Sequence, residues 1–177
     1  MPHKAVLYLH WMSRLDSTLC IRINRTSHNR WVRRFFRLIS RLGDGLFWYA
    51  VMLGILLSQG NAGVLPCLHM AATGLCGTLV YKWLKAKTLR PRPYEVHQDV
   101  WLTGIPLDRF SFPSGHTLHA VAFCAVALFY YPMLAGLLLP FTMLVGMSRV
   151  VLGLHYPSDV LAGAFIGLTL AAFSLVF

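Results

Sequence analysis

Two histidines, an aspartate and five cations stand in three short clusters of this sequence. The clusters are Lys85–Pro93, Pro113–His116 and Ser148–Asp159. Lys85, Arg92 and Arg149 supply fixed positive charge, and a guanidinium fork matches phosphate oxygens in bidentate fashion. Ser114 adds a hydroxyl. Gly115 lets the backbone approach an anion with no side chain in the way. Ser-Gly-His also precedes an apolar run, so the free N–H groups of a helix start would face an anion there. Such a set makes a phosphate cradle that calls for no metal and no other cofactor.

The histidines complete the chemistry. His155 and Asp159 are four apart, which places them on one face of a helix. A carboxylate that accepts from one ring nitrogen fixes the tautomer and leaves the other lone pair free. That nitrogen can attack phosphorus and form a covalent intermediate. His116 is then available to protonate the leaving oxygen and later to activate water. The cations would stabilise charge on the equatorial oxygens in the transition state.

The elements that must carry these clusters are apolar. Of 177 residues, 56% are hydrophobic and 12% charged, about half the charge of a soluble domain. The net charge is +10, from 16 Lys and Arg against 6 Asp and Glu. Such a balance suits anionic lipid or a phosphorylated substrate. Nucleic acid is excluded as a partner, because the cations alternate with runs that no soluble domain would expose. Three such runs, 45–81, 117–148 and 160–177, lack Asp, Glu, Lys and Arg, and turn signals at Ser58–Asn61 and Tyr130–Pro132 divide two of them. Five spans result, near Gly45–Leu57, Gly63–Leu84, 117–131, 133–149 and 160–177. The expected fold is an all-α integral-membrane bundle of about five helices.

Residues 1–44 read as a basic N-terminal segment, and 45–177 as the transmembrane domain. In the first segment Trp31, Phe35, Phe36, Leu38 and Ile39 interleave with arginines at helical spacing, as in an amphipathic helix on a membrane surface. No cleavable signal peptide is visible. If the spans alternate, residues 1–44, 82–116 and 148–159 share one side, which then holds all 16 Lys and Arg. The charge bias makes that side cytoplasmic.

Other polar residues have plainer readings. Cys20, Cys67, Cys76 and Cys124 lack metal-ligand spacing and read as packing residues. Asp44 reads as an N-cap at the start of a span. Lys87 and Arg90 read as contacts to headgroups. Tyr156 and Trp101 read as interface anchors. The long stretch 82–116 carries Trp101, Ile105 and Phe110, which suit a lipid entry path.

The three clusters resemble the signature of the type 2 phosphatidic acid phosphatase superfamily. Its pattern K-x6-RP, PSGH and SR-x5-H-x3-D is met by Lys85 to Pro93, Pro113 to His116 and Ser148 to Asp159. The resemblance covers about residues 42–177. It implies His155 as nucleophile, Asp159 as its orienting partner and His116 as general acid and base. It implies Lys85, Arg92, Ser114, Gly115 and Arg149 as phosphate binders, with no metal. The substrate class it implies is a lipid phosphate or diphosphate, with undecaprenyl diphosphate foremost. Phosphatidylglycerophosphate, phosphatidate, a lipid A phosphate, and phosphotransfer on the same scaffold are the alternatives. A bacterial inner membrane is the implied location. Familiar members face the periplasm, opposite to the side the charge bias gives.

Overall fold

In the computed structural model, residues 2–176 are described, with side chains from Met12 onward. The fold is all-α, and every regular element among the described residues is helical. The order is α1 (Pro2–Asn24), α2 (Arg30–Arg41), α3 (Phe47–Gln59), α4 (Val64–Thr88), a single turn α5 (Pro93–Val96), α6 (Gly115–Tyr130), α7 (Ala135–Val151) and α8 (Pro157–Ser174). The apolar runs of the sequence became α3, α4, α6, α7 and α8, with ends displaced by a few residues. Stretches within Arg30–Val96, Pro132–Val151 and Pro157–Ser174 are long and apolar enough to cross a bilayer. Their outward faces carry Leu53, Leu79, Phe165 and Leu168 in the open, as lipid-facing helices do. The chain is an integral membrane protein.

α6 is the central helix and packs against α4, α7 and α8. Its contact with α8 is unusually close, and the reason is local. A Cβ on Gly163 would stand 2.5 Å from the Ser114 carbonyl oxygen, and one on Gly167 would collide with that of Leu118. Two glycines four apart thus let the backbones touch, as small residues do between membrane helices. The same approach lets the Ser114 N–H donate to the Asp159 carbonyl at 3.0 Å. Two of the sequence clusters are pinned together by that bond.

The remaining core lies on the other side of α6, where Trp48, Phe123 and Phe141 meet, and Phe47 stacks on Phe141 at 3.6 Å. α3 and α4 meet at the turn that joins them. There Gly63 lies against Ile55, and the Cys67 thiol donates to the Met52 carbonyl. Farther along, a cavity separates the two helices.

The N-terminal segment packs on the site end of the bundle. Asn24, fully buried, donates to the carbonyls of Trp101 (3.0 Å) and Val151 (2.9 Å) and accepts from the Trp101 N–H. Arg37 of α2 donates to the Thr103 carbonyl. Tyr156 is buried beneath α1, with Cys20, Val100 and Val150 around it. It is therefore a core residue and not the interface anchor that its type suggested.

Candidate active site

Lys85, Arg92, Gly115, His116, Arg149 and His155 line one cavity of about 860 Å³. They come from the end of α4, the loop after it, the start of α6, the end of α7 and the turn before α8. Ser114 and Asp159 stand one layer behind. Ser114 caps α6, its hydroxyl 2.9 Å from that of Thr117. Gly115 and His116, the first two residues of α6, line the same space, and N–H groups at a helix start have no carbonyl partners within the helix.

His155 is buried and lies in the tight turn between α7 and α8. Its Nδ1 is 3.6 Å from Asp159 Oδ2, within ion-pair range but too long for a hydrogen bond. Among the described residues Nδ1 has no hydrogen-bond partner, and Nε2 is the nitrogen left for the cavity. Burial pushes the imidazole down to about 3. Asp159 pulls the other way, while Arg149 and Arg92 add to the fall. The ring is therefore neutral, with a lone pair, at any ordinary pH.

Asp159 is held mainly by other groups. Arg90 Nη1 donates to it at 2.6 Å, the Tyr156 N–H at 2.9 Å, and the Ser111 hydroxyl donates as well. Arg90 in turn reaches Asp16 of α1 at 2.7 Å, while its guanidinium lies over the Tyr156 ring at 4.2 Å. Asp16 also accepts from the N–H and hydroxyl of Ser158 at the start of α8. Arg90 is thus a brace between two carboxylates. The headgroup reading of Arg90 fails, because a guanidinium with two buried anions in reach stays with them.

The cations carry partners of their own. Lys85 Nζ donates to Asp108 Oδ1 at 2.7 Å and to the Phe110 carbonyl at 2.8 Å. Arg92 donates to the same Asp108 oxygen at 2.9 Å, and to the carbonyls of Asp108 and Leu154. Burial raises the Asp108 carboxyl, but the hydrogen bonds and charges of Lys85 and Arg92 outweigh it and hold it below the usual range. Arg149, fully enclosed, donates through Nη1 to the Ser40 hydroxyl, and its Nε has no partner among the described residues.

His116 has a partner that sequence reasoning missed. Its Nε2 donates to Asp44 Oδ1. Asp44 lies in a wide helical turn, Leu42–Leu46, and is not an N-cap; that position before α3 belongs to Leu46. The available signal was the pair of glycines around it, Gly43 and Gly45, at the mouth of an apolar run.

One wall of the cavity is apolar. Trp48, Tyr49 and Met52 of α3 face Ala71 and Leu75 of α4, with Phe123 of α6 behind. Lys82, one turn before Lys85 on α4, also lines the cavity.

A family model described as the PAP2 superfamily matches residues 62–177. The chain is 30% identical over 156 residues to a lipid A 1-phosphatase of Rhizobium etli, covering 77% of this chain and 67% of the relative. It is 30% identical over 118 residues to the undecaprenyl-diphosphatase BcrC of Bacillus subtilis, covering 67% and 61%. The chain thus spans about two thirds, or slightly less, of the length of these relatives. Among solved structures, LpxE of Aquifex aeolicus superposes with a TM-score of 0.77 at 27% identity, covering 90% of this chain and 94% of that one.

Proposed function

The chain belongs to the PAP2 superfamily, and from that premise we propose that it is a membrane phosphatase for a lipid phosphomonoester or diphosphate, working through a phosphohistidine on His155. The observation that carries this is one cavity with two halves. Cations and two histidines line its interfacial end, and a cleft between α3 and α4 continues it into the bilayer. A headgroup fits the first while its tail occupies the second.

The reaction has two displacements. The lone pair of His155 Nε2 attacks phosphorus, and the bond from phosphorus to the lipid oxygen breaks. His116 gives that oxygen a proton when the leaving group needs one. Water then attacks the phosphohistidine, losing a proton to His116, and the P–N bond breaks to release inorganic phosphate. Lys85, Arg92, Arg149 and the N–H groups at Gly115 balance the charge on the equatorial oxygens. Ser114 sets the start of α6, and Asp159 with Arg90 holds the turn that carries His155.

Undecaprenyl diphosphate is the foremost candidate substrate. Lys82 lies one turn deeper than Lys85, toward the cleft. A diphosphate whose outer phosphorus meets His155 would lay its inner phosphate there, and a cation stabilises that leaving anion. A lipid A phosphate is the second reading, favoured by the 156-residue match to the Rhizobium etli protein. A bacterial inner membrane is the proposed location.

The test is phosphate release from undecaprenyl diphosphate, lipid A, phosphatidylglycerophosphate and phosphatidate by purified protein in detergent with EDTA. Release from at least one lipid, abolished in His155→Ala, is the expected result. Lys82→Gln should lower the rate on the diphosphate about tenfold more than on a monophosphate, roughly one screened charge contact. Release from none, or a need for added divalent metal, overturns the proposal. Acceptor lipid added to the assay separates hydrolysis from phosphotransfer.

A further inference from the structure

We infer that Asp44 is the positioning residue of His116: it holds the ring by Nε2 so that Nδ1 exchanges the proton with the substrate. This rests on the phosphatase reading of the cavity and extends it to a residue outside the 62–177 match.

The geometry is specific. Asp44 and His116 are 72 residues apart, and because an ionised carboxylate can only accept, the ring N–H is the donor of their bond. Both side chains line the cavity that also holds His155 and Arg149. The backbone is bent to make the contact. Gly45 has φ +129°, a conformation that L side chains rarely adopt, and the wide turn it closes swings residue 44 toward α6. On the other flank a Cβ at Gly43 would stand 3.0 Å from Val145, so the turn is seated hard on α7. Glycine on both sides is the cost of aiming one carboxylate.

The same stretch also reaches the cation cluster. Ser40, four residues before Asp44, accepts from Arg149. One short segment therefore serves both the proton-transfer residue and a phosphate-binding cation.

The chemical consequence follows from the inventory of imidazole. With Nε2–H committed to Asp44, the second proton of the cationic ring sits on Nδ1. In the first displacement that proton goes to the lipid oxygen as its bond to phosphorus breaks. In the second it returns from the attacking water. Throughout, Nε2 keeps its proton and Asp44 stays ionised, balancing the charge while the ring is an imidazolium.

The experiment compares leaving groups. Dioctanoyl phosphatidate departs as an alkoxide and needs a proton, whereas p-nitrophenolate needs none. Full-length protein in detergent is measured on both, as wild type, Asp44→Asn and Asp44→Glu, with kcat/KM reporting the first displacement. Asp44→Asn should lower kcat/KM for phosphatidate about 30- to 100-fold, chiefly through kcat, as loss of a histidine's supporting partner does. It should change p-nitrophenyl phosphate less than about threefold, the reference step being free of proton donation. Asp44→Glu should recover part of the loss. A fall of equal size on both substrates, or none on phosphatidate, overturns the inference. A double variant keeps the test decisive if Asp44→Asn is poorly folded. In a His116→Gln background, Asp44→Asn should cost less than about twofold more, because paired groups are non-additive. A full additional loss overturns it. Wild-type protein inactive on every lipid would instead sink the phosphatase reading itself.

Discussion

The two histidines of the cavity solve the same problem in opposite ways. His155 takes its carboxylate from four residues along the chain, yet Asp159 is 3.6 Å away and is shared with Arg90, Ser111 and the Tyr156 N–H. His116 takes its carboxylate from a distant turn, and Asp44 is bonded to it directly. The proposed nucleophile is thus fixed through the rigidity of its surroundings. The proposed proton-transfer residue is fixed by a dedicated partner on the open side of the cavity. Both rings line the cavity, but His155 is the more enclosed and packing already orients it, whereas the more open His116 is held by a hydrogen bond. Proximity in sequence, then, is a poor guide to which carboxylate governs which histidine.

That contrast can be broken at several points. The largest effect should come from His155→Ala, which removes the group proposed to bond phosphorus. Phosphate release should fall by about 10⁴-fold or more, measured on any lipid the wild type accepts. Asp159→Asn should cost clearly less, because its role is shared. If it matched His155→Ala, direct orientation of the ring would outweigh the brace.

Next in size is Arg90→Ala. It leaves Asp159, whose side chain is wholly buried, without its closest cation. Breaking a buried pair from one side costs about 3 kcal/mol, and thermal unfolding in detergent should register it. Asp16→Asn should cost less, since Arg90 keeps Asp159, although one of the two oxygens that accept from Ser158 at the start of α8 becomes an amide donor.

Asp108→Asn tests the cationic end. Asp108 occupies Lys85 and Arg92 with a charge of the same sign as the substrate's. Its neutralisation should tighten inhibition by inorganic phosphate or vanadate roughly tenfold, the size of one relieved repulsion near a protein surface. Weaker inhibition would mean that Asp108 is needed to hold the two cations in place.

The smallest effect concerns pH. The His155 pKa falls from 6.5 to about 3 on folding because of burial. Between those values the unfolded chain binds the extra proton, so stability rises with pH and is complete above about 6.5. At pH 5.5 the deficit from this group is about 1 kcal/mol. His155→Gln should flatten that part of the melting profile; an unchanged slope would place the ring in contact with water.

How much of this was legible follows from the range of the signals. The apolar runs are local, and they became α3, α4, α6, α7 and α8 with ends shifted by a few residues. The three clusters were legible because each is a short motif at the end of such a run. What was not legible depends on contacts across the fold. Arg90 lies within the first cluster, but nothing nearby marks it as the partner of Asp16 and Asp159. Asp108 sits in a loop with no periodicity. Asp44 resembled a cap because acidic residues commonly start helices, and only the bend at Gly45 reveals its true neighbour. Tyr156 looked amphipathic, and it is the packing of α1 that buries it.

The cleft between α3 and α4 has a consequence for how such a protein meets its substrate. A molecule admitted sideways from the leaflet arrives by two-dimensional diffusion and never has to leave its solvent. Turnover is then governed by the mole fraction of substrate in the bilayer or micelle. Adding inert detergent at constant total lipid dilutes the surface and slows the reaction, although the bulk concentration has not changed.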